Sequence, residues 1–140
     1  MEIETCRRVV YPWLCDFNGH FATQHYMAVF DDATAQLLGA LGCLPGDIPQ
    51  TNLGFADVKH EITYKKELLA GDLLLTKSSV VRLGNKSFTY RHRLIRVGHG
   101  DKECAEMIGV AVHFDVKRRI SLELSDAFRA NALRLISEPD

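Results

Sequence analysis

A chain of 140 residues with a formal net charge of −1 and ordinary apolar content is sized for one domain with a real core. The near-neutral balance gives no bulk attraction to nucleic acid or to a membrane surface, and no apolar run approaches the roughly 20 residues that span a bilayer. Cys6, Cys15, Cys43 and Cys104 show no paired metal-type spacing and no disulfide-rich density. The opening Met1-Glu2-Ile3-Glu4-Thr5 has neither a basic nor an apolar leader, so the expected setting is the cytoplasm.

Residues 5–13 read as a first strand that must end or bulge at Pro12, which cannot donate to a ladder. Asn18-Gly19 is a turn dipeptide because both residues tolerate positive φ. A carboxylate, Asp16, stands just before it, and an imidazole, His20, just after it. From about Gln24 to Leu41 the chain reads as a helix. Tyr26, Met27, Val29, Phe30, Ala33, Leu37, Leu38 and Leu41 fit its period, and Ala28, Ala35 and Ala40 leave little polar face, so burial is expected. A carboxylate is thereby placed beside the positive end of a buried helix. Cys15 beside Asp16 and His20 has a nucleophile's neighbours, but a small buried apolar residue is the simpler reading. Gly42, Pro45-Gly46 and Pro49 end the helix, and 43–53 reads as a loop.

Strands follow. Phe55 to Tyr64 has apolar residues at 56, 58, 62 and 64, and a polar crossing over 65–72 ends in Gly71-Asp72. Leu73 to Leu83, Ser87 to Val97 and Glu103 to Asp115 are expected strands joined by turns at 84–86 and 98–101. In the second of these, Phe88, Tyr90, His92 and Leu94 alternate onto one face. Val116 to Arg119 reads as a turn, and Ser125-Asp126 caps a short helix reaching about Ile136. Short turns favour antiparallel neighbours. A helix of about 18 residues is roughly 27 Å long, so a curved sheet wrapped around it covers most of its sides. The expected fold is α+β in a single domain over 1–140: five or more antiparallel strands around a long central helix, with a short C-terminal helix.

Trp13, Asp16, Gly19-His20, Tyr26 and Phe30-Asp31-Asp32-Ala33, followed by Ile62-Thr63-Tyr64-Lys65-Lys66-Glu67-Leu68-Leu69-Ala70-Gly71-Asp72, resemble the hotdog-fold acyl-CoA thioesterases of the hydroxybenzoyl-CoA thioesterase type. The order and spacing agree over roughly residues 5–120. Two departures stand out: Leu14 where many members carry a further Asp, and Ala22-Thr23 where many carry Asn-Asn. The pattern Trp-x-x-Asp-x-Asn-Gly-His with Phe-Asp-Asp-Ala is similar to a branch that includes betainyl-CoA thioesterases.

The resemblance implies thioester hydrolysis to a free acid and coenzyme A, with Asp16 in the place of the catalytic carboxylate. It also implies no cofactor beyond the coenzyme A thioester that is the substrate. A carboxylate serves such a reaction as nucleophile or as general base, and the sequence leaves both open. Backbone N–H groups of Thr23 and Gln24 at the helix start are the expected oxyanion donors. The competing role for Asp16 is a turn-capping aspartate bonded to the backbone of Asn18 or Gly19. His20 either orients water at the thioester or is structural, and His25 reads as structural. Asp16, His20 and His25 lack the spacing of a helix-borne ligand pair, so no metal is expected. Of Asp31 and Asp32, one can bond to the sheet or a subunit interface and the other can reach the acyl pocket, with a structural role the better reading. Trp13 and Tyr26 belong with the substrate in the family pattern, and Arg82, Lys86 and Ser87 match the segment that meets the nucleotide phosphates. A homodimer or homotetramer is expected, with no nucleic-acid or membrane partner. Two other functions stay open. A hotdog hydratase or dehydratase resembles Asp-x-Asn-x-x-His, one residue longer than the spacing from Asp16 to His20. A non-catalytic module would bind acyl-CoA or acyl-carrier protein without turnover.

Overall fold

In the computed structural model, which describes residues 1–137, the sheet runs in the spatial order β1-β3-β4-β5-β2, every pair antiparallel. Its members are β1 (Ile3–Val9), β2 (Leu53–Tyr64), β3 (Leu73–Leu83), β4 (Ser87–Val97) and β5 (Lys102–Asp115), and a short β6 (Ile120–Ser121) pairs with β5. Helix α1 (Thr23–Ala40) packs on the sheet. A single turn, α2 (Ile48–Thr51), follows it, and α3 (Asp126–Leu133) closes the chain. This is the hotdog arrangement: a curled antiparallel sheet against one long helix.

The core forms where the strand and helix periods agree. Phe88, Tyr90, His92 and Leu94 of β4 are all fully or almost fully buried; Phe88, Tyr90 and Leu94 share one core with Tyr26, Val29, Phe30 and Leu37 of α1, and His92 stacks on Phe30. Burial of each large apolar side chain contributes about 1.5–3 kcal/mol. Gly42, at φ +90°, turns the chain out of α1, and Asn131 of α3 donates its Nδ2–H to the carbonyl of Leu41 at 3.0 Å. Ser125 in turn caps α3 by accepting from the Phe128 N–H.

A polar chain crosses this core. Thr5 Oγ1 lies 2.6 Å from Ser78 Oγ, and Ser78 Oγ lies 2.6 Å from His92 Nδ1. His92 Nε2 lies 2.9 Å from Thr34 Oγ1, which donates to the Phe30 carbonyl of α1 at 3.0 Å. Each hydroxyl proton is used once when Nε2 carries the ring proton: Thr5 to Ser78, Ser78 to His92, His92 to Thr34. The chain therefore ties β1, β3, β4 and α1 together through one neutral imidazole. Next to it, Tyr90 lies flat over Gly109 of β5, where an added Cβ would stand 2.3 Å from Cζ, and its hydroxyl donates to Asp57 Oδ1 of β2 at 2.7 Å.

Several expectations are corrected. α1 is not buried on most sides: Gln24, Ala28, Asp31, Asp32, Ala35, Gln36 and Ala40 are exposed, because the sheet curls around one face only. β1 stops at Val9; Val10 continues only as a backbone partner of Gly71 and Asp72. The segment 43–53 holds a 3₁₀ turn (Pro45–Asp47) and α2 before Asn52 reverses the chain at φ +58°. The apolar positions of β2 do not form a buried face, since β2 is an edge strand with Val58 and Tyr64 well exposed. β6 is too short to read from a pattern. α3 ends at Leu133, and Ile136 instead lies parallel to Val80 in an isolated bridge.

Candidate active site

The site is assembled from two short backbone pairings. Asp16 N–H donates to His20 O (2.8 Å) and Gly19 N–H to Asp16 O (3.0 Å), with Gly19 at φ +76°, so Asn18-Gly19 forms the tight turn its residues require. Phe21 N–H then donates to Leu68 O (2.8 Å), and His20 bridges Leu69. The loop is thereby fastened to segment 65–72, whose own turn is held by Asp72 Oδ2 accepting from Leu69 N–H, with Gly71 at φ +95°.

Helix α1 starts immediately afterwards. Its N-cap is Ala22, which has no side chain to cap with. His25 N–H turns back to Ala22 O (2.9 Å). Among the described residues, the N–H groups of Thr23 and Gln24 have no acceptor. They are free donors at the positive end of an 18-residue helix.

Asp16, His20, Thr23, Tyr26, Tyr64 and Glu67 share the wall of one open cavity of about 300 Å³. Asp16 Oδ1 accepts from the N–H of Asn18 (2.8 Å) and of His20 (3.2 Å), while Oδ2 has no hydrogen-bond partner among the described residues. His20 Nε2 stands 2.7 Å from Glu67 Oε2. Tyr26 is a wall, not a base: it is buried, packed on Phe21 and edge-on to Tyr64 at 4.9 Å, and burial pushes its phenol up to about 12. Lys65 is held by Glu103 at 2.5 Å, whereas Lys66 has no carboxylate partner among the described residues. A carboxylate with one unengaged oxygen, an imidazole and the free N–H of Thr23 share this wall and can together activate a nucleophile and receive negative charge, whereas Gln24 does not line the cavity.

The other sequence candidates lie elsewhere. Trp13 is 74% exposed, stacked on Tyr11 at 4.6 Å, and does not line the cavity. Arg82, Lys86 and Ser87 sit at the far end of β3 from the Asp16 loop, on the order of 30 Å away at the rise of a strand. There Arg129 of α3 donates to the carbonyls of Gly84 and Asn85. Cys15 directs its Sγ to Tyr11 O. No group of His, Cys, Asp or Glu among the described residues is arranged to hold a metal.

A second cavity of about 330 Å³ lies between the latter half of α1, the 42–54 segment and β2. Leu38, Leu44, Ile48 and Phe55 give it apolar walls; Asp31, Asp32, Asp47 and Asp57 line it with no Lys, Arg or His. Asp32 is paired with Arg8 of β1, and Asp31 faces the cavity. Residue patterns missed Glu67, Tyr64 and the bare Ala22 cap. The 62–72 motif was visible, but its contact with the Asp16 loop is tertiary.

The fold recurs among solved structures. A hypothetical protein from Staphylococcus aureus in complex with CoA superposes at TM-score 0.86 with 14% identity, covering 100% of this chain and 89% of that one. A mutant of 4-hydroxybenzoyl-CoA thioesterase complexed with 4-hydroxybenzoyl-CoA gives 0.84 with 15% identity, covering 94% and 98%. A gentisyl-coenzyme A thioesterase gives 0.78 with 21% identity, covering 90% and 97%. No protein of curated function matches the sequence. No single described helix is long and apolar enough to cross a membrane. The model of the Thioesterase-like superfamily matches residues 10–132, nearly the whole fold including the Asp16 loop, α1 and all the long strands except β1, and the chain belongs to that superfamily.

Proposed function

We propose that this protein hydrolyses acyl-coenzyme A thioesters, releasing a free acid and coenzyme A. The observation that carries the reading is one cavity shared by the Asp16 carboxylate and the uncapped start of α1, in a chain of the Thioesterase-like superfamily. The unengaged Oδ2 of Asp16 either attacks the thioester carbon, expelling the coenzyme A thiolate and leaving an anhydride that water hydrolyses, or takes a proton from the water that attacks that carbon and expels the thiolate. The free N–H groups of Thr23 and Gln24 receive the oxyanion, an effect typically worth about 3 kcal/mol per donor. The test is a panel of acyl-CoA thioesters with detection of free thiol. Release of coenzyme A supports hydrolysis, and hydration of an enoyl-CoA without thiol release would replace it.

The second cavity shares no lining residue with the first, so it is proposed as the acyl site for a thioester held at the Asp16 cavity of a second copy of the chain. Its apolar walls and the three carboxylates other than Asp32, which Arg8 pairs, disfavour acyl groups that themselves end in a carboxylate. Betainyl-CoA, suggested by the Trp13–His20 pattern, therefore belongs in the panel beside neutral acyl groups.

The working form in this reading is a homodimer or homotetramer. β2 is a 12-residue edge with exposed Val58 and Tyr64, and such an edge invites pairing with a second copy. Sedimentation at micromolar concentration is expected to give a dimer or tetramer, and a stable monomer would count against it. A second copy is also the route by which Arg82, Lys86 and Ser87 reach the nucleotide. Lys86→Ala is then expected to raise KM several-fold with kcat little changed, because a remote phosphate contact binds ground and transition states alike. A fall in kcat with KM unmoved would remove this turn from the nucleotide site.

One observation favours a non-catalytic acyl-CoA-binding module: Asp16 Oδ1 is already engaged as a turn acceptor. Tight binding of a non-hydrolysable acyl-CoA with no thiol release from any thioester would establish it.

A further inference from the structure

We infer that Glu67 is a positioning residue, setting the tautomer and orientation of His20 in the thioester site; the inference rests on the thioesterase reading above. His20 Nε2 is 2.7 Å from Glu67 Oε2. The contact is close without being an aligned hydrogen bond; two lone pairs at that separation would repel, so it favours the proton of His20 on Nε2. A neutral His20 then carries its lone pair on Nδ1. Its other fixed point is the main chain, where His20 N–H donates to Asp16 Oδ1 at 3.2 Å. Backbone and ring are thus held by two different carboxylates of the same cavity.

A surface ion pair alone would mean little, since both side chains are partly solvated. What distinguishes this pair is that the main chain dictates it. Phe21 N–H donates to Leu68 O and His20 bridges Leu69, so Glu67, two residues before Leu69, falls on the same face as His20 and is its diagonal neighbour. The 69–72 turn is itself locked by Asp72 and the positive φ of Gly71. Of the neighbouring cations, Lys65 is committed to Glu103, Arg91 to Glu106 and Arg93 to Glu2, and Lys66 on the same cavity wall forms no ion pair with Glu67.

The test uses the full chain and three variants: Glu67→Gln, Glu67→Asp and His20→Asn. Glu67→Gln is expected to lower kcat about tenfold with KM within about twofold and melting temperature unchanged, as a lost orienting group does when general acid–base chemistry supplies 10²–10⁴-fold in all. Glu67→Asp is expected to recover part of that loss. The double variant Glu67→Gln/His20→Asn is expected to be no slower than His20→Asn alone, because Glu67 acts only through His20. Nitrogen-15 NMR of the His20 ring needs no turnover. It is expected to show the Nε2–H tautomer in the wild type and a mixture in Glu67→Gln. A wild-type-like kcat in Glu67→Gln, additive losses in the double variant, or an unchanged tautomer would each overturn the inference. If no thioester is hydrolysed by the wild type, the thioesterase reading fails, and the tautomer measurement still decides whether Glu67 sets His20.

Discussion

Asp16→Asn is expected to lower kcat by at least ~10²-fold, the low end of general-base contributions, while the fold and substrate binding survive. The geometry of the turn makes this substitution clean. Asp16 Oδ1 accepts from the N–H groups of Asn18 and His20, and the amide oxygen of Asn accepts the same two bonds. Asn is also as good a turn residue as Asp. What Asn cannot supply is the charge and the basic lone pair of Oδ2, the oxygen left without a protein partner. Asp16→Ala removes both functions: it is expected to lose activity as fully and also about 1 kcal/mol of stability from the two missing turn bonds. The two substitutions therefore separate the roles. An Asp16→Asn protein with wild-type kcat would reduce Asp16 to a turn cap, and the hydrolysis mechanism proposed for this cavity would fall with it.

Part of this site is legible in the sequence because its determinants are local. Asn18-Gly19 dictates the turn, and the turn dictates that Asp16 and His20 face one another across it, as the Asp16 N–H to His20 O bond records. The start of α1 follows from where the apolar period begins. Glu67 is not legible, because its partner is chosen by the pairing of Phe21 with Leu68, a contact between segments distant in sequence. The strands divide in the same way. β3 and β4 are flanked by strands on both sides and bury most of one face, so alternation such as that of Phe88, Tyr90, His92 and Leu94 reports burial. β2 alternates too, yet Val58 and Tyr64 are exposed because β2 is an edge strand with little packed over it. The alanines of α1 misled for a related reason. A small apolar residue pays little for facing water, so Ala28 and Ala35 say little about which side the sheet covers.

The uncapped start of α1 shows how the departures from the family pattern bear on chemistry. Ala22 stands where a polar residue would ordinarily satisfy a helix N–H, and Thr23 sits inside the helix rather than at its cap. A capping side chain accepts from the second or third helical N–H, here Gln24 or His25, so at Gln24 it would take one of the two groups proposed to receive an oxyanion. Its absence costs the helix about 1 kcal/mol relative to a good cap, and it leaves the Gln24 donor unoccupied beside that of Thr23.

The second large effect concerns stability and lies away from the site. His92 is fully buried, with both ring nitrogens hydrogen-bonded, to Ser78 and Thr34. Burial, and secondarily the neighbouring His60, pushes its pKa from 6.5 down to about 3. Because the folded value lies below the unfolded one, the folded protein holds the neutral ring and protonation favours the unfolded chain. The stabilisation is complete above about pH 6.5 and is lost as pH falls toward about 3, with a slope of up to ~1.4 kcal/mol per pH unit. His92→Phe fits the space beside Phe30, whose ring is parallel to the imidazole at 6.1 Å. It leaves Ser78 without its acceptor, however, and is expected to cost about 1–3 kcal/mol at pH 7.5. Carboxyls held below their usual range, Glu2 by the Arg93 guanidinium and Asp115 by the Arg118 N–H, also favour unfolding when they are protonated, but equally in both proteins. Urea unfolding of wild type and His92→Phe between pH 7.5 and 4 isolates the imidazole: the gap is expected to narrow steadily below about pH 6.5 and to close or reverse near pH 4. A constant gap across that range would mean that the ring takes up its proton without leaving the folded state, and that the Thr5–Ser78–His92–Thr34 chain does not hold it neutral.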